Sequence, residues 1–242
     1  MDKSLLVNNM SISKQFDLIV WDWDGTLANS TELIVNAIVQ AAAQVGLPTL
    51  DPIAASNIIG LGLKESIRAL YGDLPTEKAQ QLASQYNANY YAGQSAIPLF
   101  KGAQQLIISL HRRGFKLAVA TGKGRQGLDL ALEHFGLAKY FHETRTMGEC
   151  LSKPHPQMLI ELIDTLVVRP ERTLMIGDTN YDLEMAQNAG VKSVGVTFGA
   201  QSRDKLVCYN PLHIFDQFAD LSDWLLEINN DKNSQNQLVY PI

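Results

Sequence analysis

Apolar residues along this chain gather in short runs that alternate with stretches of helical period. Residues 16–21, 115–120, 173–176 and 191–196 are apolar on both faces, the pattern of strands buried in a parallel sheet covered by helices. Between them, residues 103–113, 126–135, 156–166 and 181–189 are amphipathic. Gly114, Gly136 and Gly190 fall just past three of these stretches, where a helix commonly ends. Strand and helix in alternation predict an α/β fold, a doubly wound parallel sheet of Rossmann-like type.

One segment breaks the alternation. From about residue 31 to residue 91 the chain reads helix after helix, rich in Ala, Gln, Asn and Leu, with no convincing strand. It departs just after the first strand and returns at Ile97-Pro98-Leu99. The pattern predicts a small helical cap domain, residues 30–97, inserted into an α/β core domain made of residues 1–29 and 98–228. The tail, residues 229–242, is polar over much of its length and is expected to be disordered.

Composition narrows the class. With 46% hydrophobic residues the chain can bury a sizeable core. A net charge of -5 argues against a basic nucleic-acid-binding face, so no nucleic-acid partner is expected. Cys150 and Cys208 form no CxxC unit, which argues against a disulfide framework or a zinc site. The first residues lack the basic start and apolar run of a signal peptide, and no run approaches the roughly 20 apolar residues that span a bilayer. The expectation is a cytoplasmic protein, monomer or homodimer, with no membrane partner.

Candidate chemistry collects where the predicted strands end. The first is followed by Asp22-Trp23-Asp24-Gly25-Thr26-Leu27. Residues two apart on an extended strand end share a face, so both acids can converge on one point, and Gly25 lets the chain turn away. A polar strand-to-loop turn would also use Asp and Gly. The second strand ends in Thr121-Gly122-Lys123-Gly124 before a helix; a hydroxyl and free N–H groups there suit a phosphate, although an ordinary helix cap reads the same way. The spacing is not that of a Walker A loop. Next comes Ser152-Lys153-Pro154-His155-Pro156, whose lysine could offset the charge of a transferring phosphoryl group or be a surface lysine; His155 reads as structural. The last is Gly177-Asp178-Thr179-Asn180-Tyr181-Asp182, where Asp178 and Asp182 can face one cavity as hard oxygen ligands suited to Mg²⁺. Asp182 alone could equally be a helix N-terminal acid.

These four elements, in this order and at these strand ends, closely resemble the haloacid dehalogenase-like hydrolase superfamily, over residues 16 to about 224. The helical segment after the first motif looks like the cap of the phosphoglycolate phosphatase-like branch. The resemblance implies a magnesium-dependent phosphomonoesterase acting on a small phosphorylated metabolite. Asp22 would be the nucleophile that becomes an aspartyl-phosphate, and Asp24 the general acid and base. The metal ion would be held by the Asp22 carboxylate, the Asp24 backbone carbonyl and Asp178, with Asp182 as ligand or support. Thr121 and the Gly122 N–H, with Lys123 beside them, would bind phosphoryl oxygens, and Lys153 would offset negative charge. Asp24 would be kept protonated by a closed, partly desolvated site beside other carboxylates. Its presence argues against the dehalogenase and phosphonatase relatives, which lack an acid at that place; Thr26 leans toward phosphatase. A sugar phosphomutase of the same fold and a catalytically silent phosphate-binding protein are the alternatives.

Substrate choice is expected in the cap. Gly60-Leu61-Gly62-Leu63-Lys64 reads as a loop between cap helices that could close over the site, with Gly62 and Lys64, or Arg68, meeting the substrate. A simple interhelical turn with solvated charges fits the same residues. Gly124-Arg125 departs from the Asn-Lys-Pro run often found after the core threonine in the phosphoglycolate phosphatases, which counts against phosphoglycolate itself as the natural substrate.

Overall fold

A computed structural model of the chain describes residues 15–227. The tail expected to be disordered lies outside the described residues. Six parallel strands form one sheet: β1 (Leu18–Trp21), β2 (Lys116–Gly124), β3 (Glu143–Met147), β4 (Thr173–Gly177), β5 (Lys192–Val196) and β6 (Ile214–Phe215), in the order β3-β2-β1-β4-β5-β6. The chain therefore winds outward from β1 in both directions, as a doubly wound sheet requires. The central strands alternate strictly between its two faces. Ile19 and Trp21 point into one apolar cluster with Leu117, Val119 and Ile176. Leu18 and Val20 point into the other with Ala118, Ala120 and Met175.

Two strands escape the hydrophobic pattern. β3 carries Glu143 and Arg145, which pair with each other at 3.0 Å, and Arg145 also reaches Glu161 at 2.9 Å. An edge strand wet on one side has no continuous apolar run to reveal it, and charges there blunt the exposed edge. β6 is only two residues long and is recognisable only by its pairing with β5. The second strand also runs further than the apolar residues suggest, through Gly124, with a register irregularity between Thr121 and Gly124.

After β1 come the helices α1 (Thr31–Gln44), α2 (Pro52–Ser56), α3 (Leu63–Tyr71) and α4 (Thr76–Gly93). Ile38, Ala41, Ala42, Ile67 and Leu82 give them an apolar cluster of their own. The outgoing and returning chains are tied together between this layer and the sheet. Ala28 pairs with Leu99, Phe100 N–H donates to Leu27 O at 2.9 Å, and Asn29 N–H donates to Pro98 O at 2.9 Å. The remaining helices are α5 (Ala103–Arg112), α6 (Arg125–His134), α7 (Gln157–Leu166), α8 (Asn180–Asn188), α9 (Arg203–Leu206) and α10 (Phe218–Glu227). Among the described residues no helix is long and apolar enough to cross a membrane.

Candidate active site

Register brings the strand ends together. Trp21 is level with Val119 of β2 and with Ile176 of β4, so Asp22, Thr121 and Asp178 emerge at one carboxyl edge. Asp22 N–H donates to Ile176 O at 2.9 Å, which fixes its backbone to the neighbouring strand. β1 lies where the winding reverses, and open α/β sheets bind ligands at that crevice. Gly25 has φ +82°, and a Cβ there would lie 2.1 Å from Asp178 Oδ2. Only glycine permits both the turn and the close approach of the acid.

Lys153 is the organising charge. Its side chain is fully buried, and Nζ donates to Asp22 Oδ1 at 2.6 Å and to Asp182 Oδ1 at 2.5 Å. The other oxygen of Asp182 accepts from Thr179 N–H at 3.1 Å and from the Thr179 hydroxyl at 2.7 Å, a capping box that starts α8. Asp182 thus holds the lysine and the helix at once. Asp178 is held differently: Oδ1 accepts from the Thr26 hydroxyl at 3.2 Å and Oδ2 from Ala200 N–H at 2.7 Å.

Burial dominates the protonation of these acids. Desolvation pushes Asp22 up to about 7, with the nearby Asp182 carboxylate adding to it and the Lys153 ammonium opposing it. Asp178 is raised well above the usual carboxylate range, first by burial and then by Asp22 and Asp182. The Lys153 ammonium, in turn, is held above its ordinary value by Asp182 and Asp22, which outweigh its burial.

The cluster fits a metal ion. One oxygen from each of Asp22, Asp178 and Asp182 lies within 4.8 Å of the others, and all three residues are buried. Asp22 Oδ2 is buried with no hydrogen-bond partner among the described residues. Converging carboxylates with one oxygen left unbonded form a hard-donor set for a cation. The Asp24 carboxylate is outside this cluster, so any part of Asp24 in holding a metal falls to its backbone carbonyl.

Asp24 sits among donors. Its Oδ1 accepts from the Ser30 hydroxyl at 2.7 Å, and its Oδ2 lies 3.1 Å from Lys123 Nζ. Besides the nearby Asp22 carboxylate, an ammonium and a hydroxyl face it, because β2 continues past Thr121 and carries Lys123 over the strand edge. Lys123 Nζ also donates to the Tyr90 hydroxyl at 2.5 Å, linking β2 to α4. Thr121 is buried, and its hydroxyl accepts from Lys123 N–H at 3.1 Å.

Over these groups lies a cavity of about 220 Å³, roofed by α1, α4 and the loop between α2 and α3. That loop docks closely. A Cβ on Gly122 would lie 2.7 Å from the carbonyl oxygens of both Gly60 and Leu61. Gly62 N–H is taken by the Ser152 hydroxyl at 2.9 Å, so Gly62 serves the closure and does not line the cavity. Lys64 is exposed and does not line the cavity either, and exposed Arg68 pairs with Asp73 at 3.0 Å. The expectation that Lys64 meets the substrate is corrected: in α3 it lies on the solvent side, while Leu63 and Ser66 face the cavity. His155 is exposed and accepts from Gln157 N–H at 3.2 Å, a structural place at the start of α7.

Several residues of the site were missed in the sequence. Ser30 and Tyr90 read as helix and core residues, and the Ala200 N–H carries no side-chain signal at all. Thr26 stands in the first motif, but its bond to Asp178, 152 residues away, has no local signal.

The profile of the family described as haloacid dehalogenase-like hydrolase matches residues 19–196. A phosphoglycolate phosphatase of Rhodospirillum rubrum is 33% identical over 218 residues, covering 86% of this chain and 90% of its own. The pyrophosphatase PpaX of Bacillus mycoides is 26% identical over 217 residues, covering 89% of this chain and 99% of its own. The crystal structure of a predicted phosphoglycolate phosphatase from Haemophilus somnus superposes with a TM-score of 0.77 at 27% identity, covering 87% of this chain and 98% of its own. A profile that spans most of the chain, and acids that meet where its sheet reverses, give one answer: this protein belongs to the haloacid dehalogenase-like hydrolases, as one of their phosphatases.

Proposed function

We propose that this phosphatase is a Mg²⁺-dependent phosphomonoesterase that hydrolyses a small phosphorylated metabolite through an aspartyl-phosphate on Asp22. The observation that carries the reading is the state of the Asp22 carboxylate. One oxygen is held by Lys153 at 2.6 Å, and the other is buried and unbonded beside a cavity.

Asp22, Asp178, the Asp24 carbonyl and Asp182 are the residues that would hold Mg²⁺. Bound there, the cation would screen the repulsion between an anionic nucleophile and an anionic ester. Lys153 aims Asp22 and offsets charge on the transferring group. The Asp22 carboxylate forms a bond to phosphorus as the bond from phosphorus to the leaving oxygen breaks, and Asp24 gives that oxygen a proton. Asp24 then takes a proton from water, the water oxygen bonds to phosphorus, and the Asp22–phosphorus bond breaks. Inorganic phosphate leaves and both acids return to their starting states. Thr121, the Gly122 N–H and Lys123 bind the phosphoryl oxygens.

The test is phosphate release from a panel of phosphorylated metabolites with and without Mg²⁺, using Asp22→Asn as the blank. Release that needs both Mg²⁺ and Asp22 supports the reading. Interconversion of sugar phosphates without net phosphate release points to a phosphomutase, and binding without turnover to a silent phosphate-binding protein.

A further inference from the structure

The two curated relatives named above carry names for acting on phosphoglycolate and pyrophosphate, compounds with a second anionic group besides the one attacked. The cavity of this chain is built otherwise. We infer, on the reading just proposed, that its substrate is the phosphate ester of an uncharged, largely apolar alcohol with no second anion. The helical layer lines the cavity with Ile34, Ile38, Ile59, Leu63, Tyr86 and Tyr90.

Among the described residues lining this cavity, only Asp22, Asp24 and Lys123 carry formal charge. Lys123 is the single cation, and it is already balanced: 3.1 Å from Asp24, 2.5 Å from the Tyr90 hydroxyl, its side chain 6% exposed. Whatever Lys123 contributes to the phosphoryl group leaves no ammonium or guanidinium for another anion. The nearest basic residues of the helical layer in sequence, Lys64 and Arg68, are both exposed and do not line the cavity. A second carboxylate or phosphate would lose its hydration against isoleucine, leucine and tyrosine rings and meet only neutral groups such as Ser66 and Asn87, without a cation to pair with, and a buried charge lacking a counter-ion is strongly disfavoured.

The wall instead suits an apolar or aromatic group. Tyr86 and Tyr90 stack with ring centroids 5.9 Å apart, and Tyr90 meets Tyr91 edge-on at 5.9 Å. Rigid rings of this kind offer large contact area to a flat or apolar ligand. At about 220 Å³ the space is smaller than the roughly 300–1,000 Å³ of a drug-sized site, so the alcohol is small.

The experiment measures kcat/KM for phosphate release, with Mg²⁺, from benzyl phosphate, 2-phosphoglycolate and inorganic pyrophosphate, with Asp22→Asn as the blank. Benzyl phosphate is expected to be preferred over both anionic compounds by about 10²-fold or more, the scale on which unmatched polar groups are rejected. Leu63→Lys, which adds a cation to the wall, is expected to narrow that ratio by about tenfold. Asp22-dependent hydrolysis that favours phosphoglycolate or pyrophosphate, or treats all three alike, overturns the inference and leaves the proposed phosphatase standing. No Asp22-dependent release from any of the three overturns both. The wild-type ratio decides the matter even where Leu63→Lys does not fold.

Discussion

Lys123 Nζ lies 3.1 Å from Asp24 Oδ2, in an ion pair whose two side chains are 6% and 14% exposed. The lysine comes from the end of β2 and the acid from the turn after β1, while Tyr90 of α4 accepts a hydrogen bond from the same ammonium. The group proposed to move protons is thereby positioned by the sheet and by the helical layer together.

Removing that ammonium should therefore damage turnover on every substrate. Lys123→Met is expected to lower kcat by about 10²-fold, the usual effect of deleting one preorganised charge donor. Tyr90→Phe leaves the ammonium in place and is expected to cost about tenfold or less. Steady-state kinetics on both variants test this; equal losses would mean that the hydroxyl, and not the charge, is the important partner.

Asp22→Asn should abolish turnover with the fold preserved, because the amide is nearly isosteric but cannot serve as nucleophile. A fall in kcat of about 10⁴-fold or more is expected, with an unchanged far-UV circular dichroism spectrum. Substantial Mg²⁺-dependent activity in this variant would contradict the aspartyl-phosphate.

Lys153→Met leaves Asp22 and Asp182 buried without their shared cation. Breaking a buried pair from one side costs about 3–5 kcal/mol. Urea unfolding of the metal-free protein should show a loss of that order, and an unchanged midpoint would mean that the acids are wetter than their burial indicates.

The metal-free protein should lose stability as pH rises from about 4 to about 7. Asp22 has its folded pKa raised from an ordinary 3.8 to about 7, and Asp178 is raised in the same direction. Between those values the folded state binds more protons than the unfolded chain, so each step up in pH favours unfolding. Lys153 stays charged throughout and does not alter the slope. Melting curves in EDTA across this range test the sign. Under the proposed assignment, added Mg²⁺ restores stability at the upper end by binding the folded carboxylates alone.

Gly122→Ala places a methyl 2.7 Å from the carbonyl oxygens of Gly60 and Leu61. The sheet cannot move to relieve this, so the loop between α2 and α3 must lift. The expected result is a fall in kcat/KM of about 10²-fold, as for a misplaced active-site wall, with the melting temperature nearly unchanged. A large fall in melting temperature instead would mean that β2 itself is distorted.

Much of this site was legible along the chain because its parts are local. A buried strand followed by Asp22-Trp23-Asp24-Gly25, or by Gly177-Asp178, announces both an element and the chemistry at its end. In a doubly wound sheet such ends meet at one edge, so the convergence of Asp22, Thr121 and Asp178 could be expected from their order alone. β3 and β6 could not, since edge strands are defined by backbone pairing and need no apolar run.

The sequence by itself determined four of the six strands, the helical insertion and the acids at the strand ends, through period and residue type. Only the tertiary structure decided which lysine faces the cavity. Lys64 and Lys123 are chemically identical, but the rotation of α3 sends one to solvent and the continuation of β2 carries the other to Asp24. The same holds for Asp22 and Lys153, 131 residues apart, and for Thr26 and Asp178, 152 apart. Partnership across such separations is set by how whole elements pack, and no local pattern encodes it.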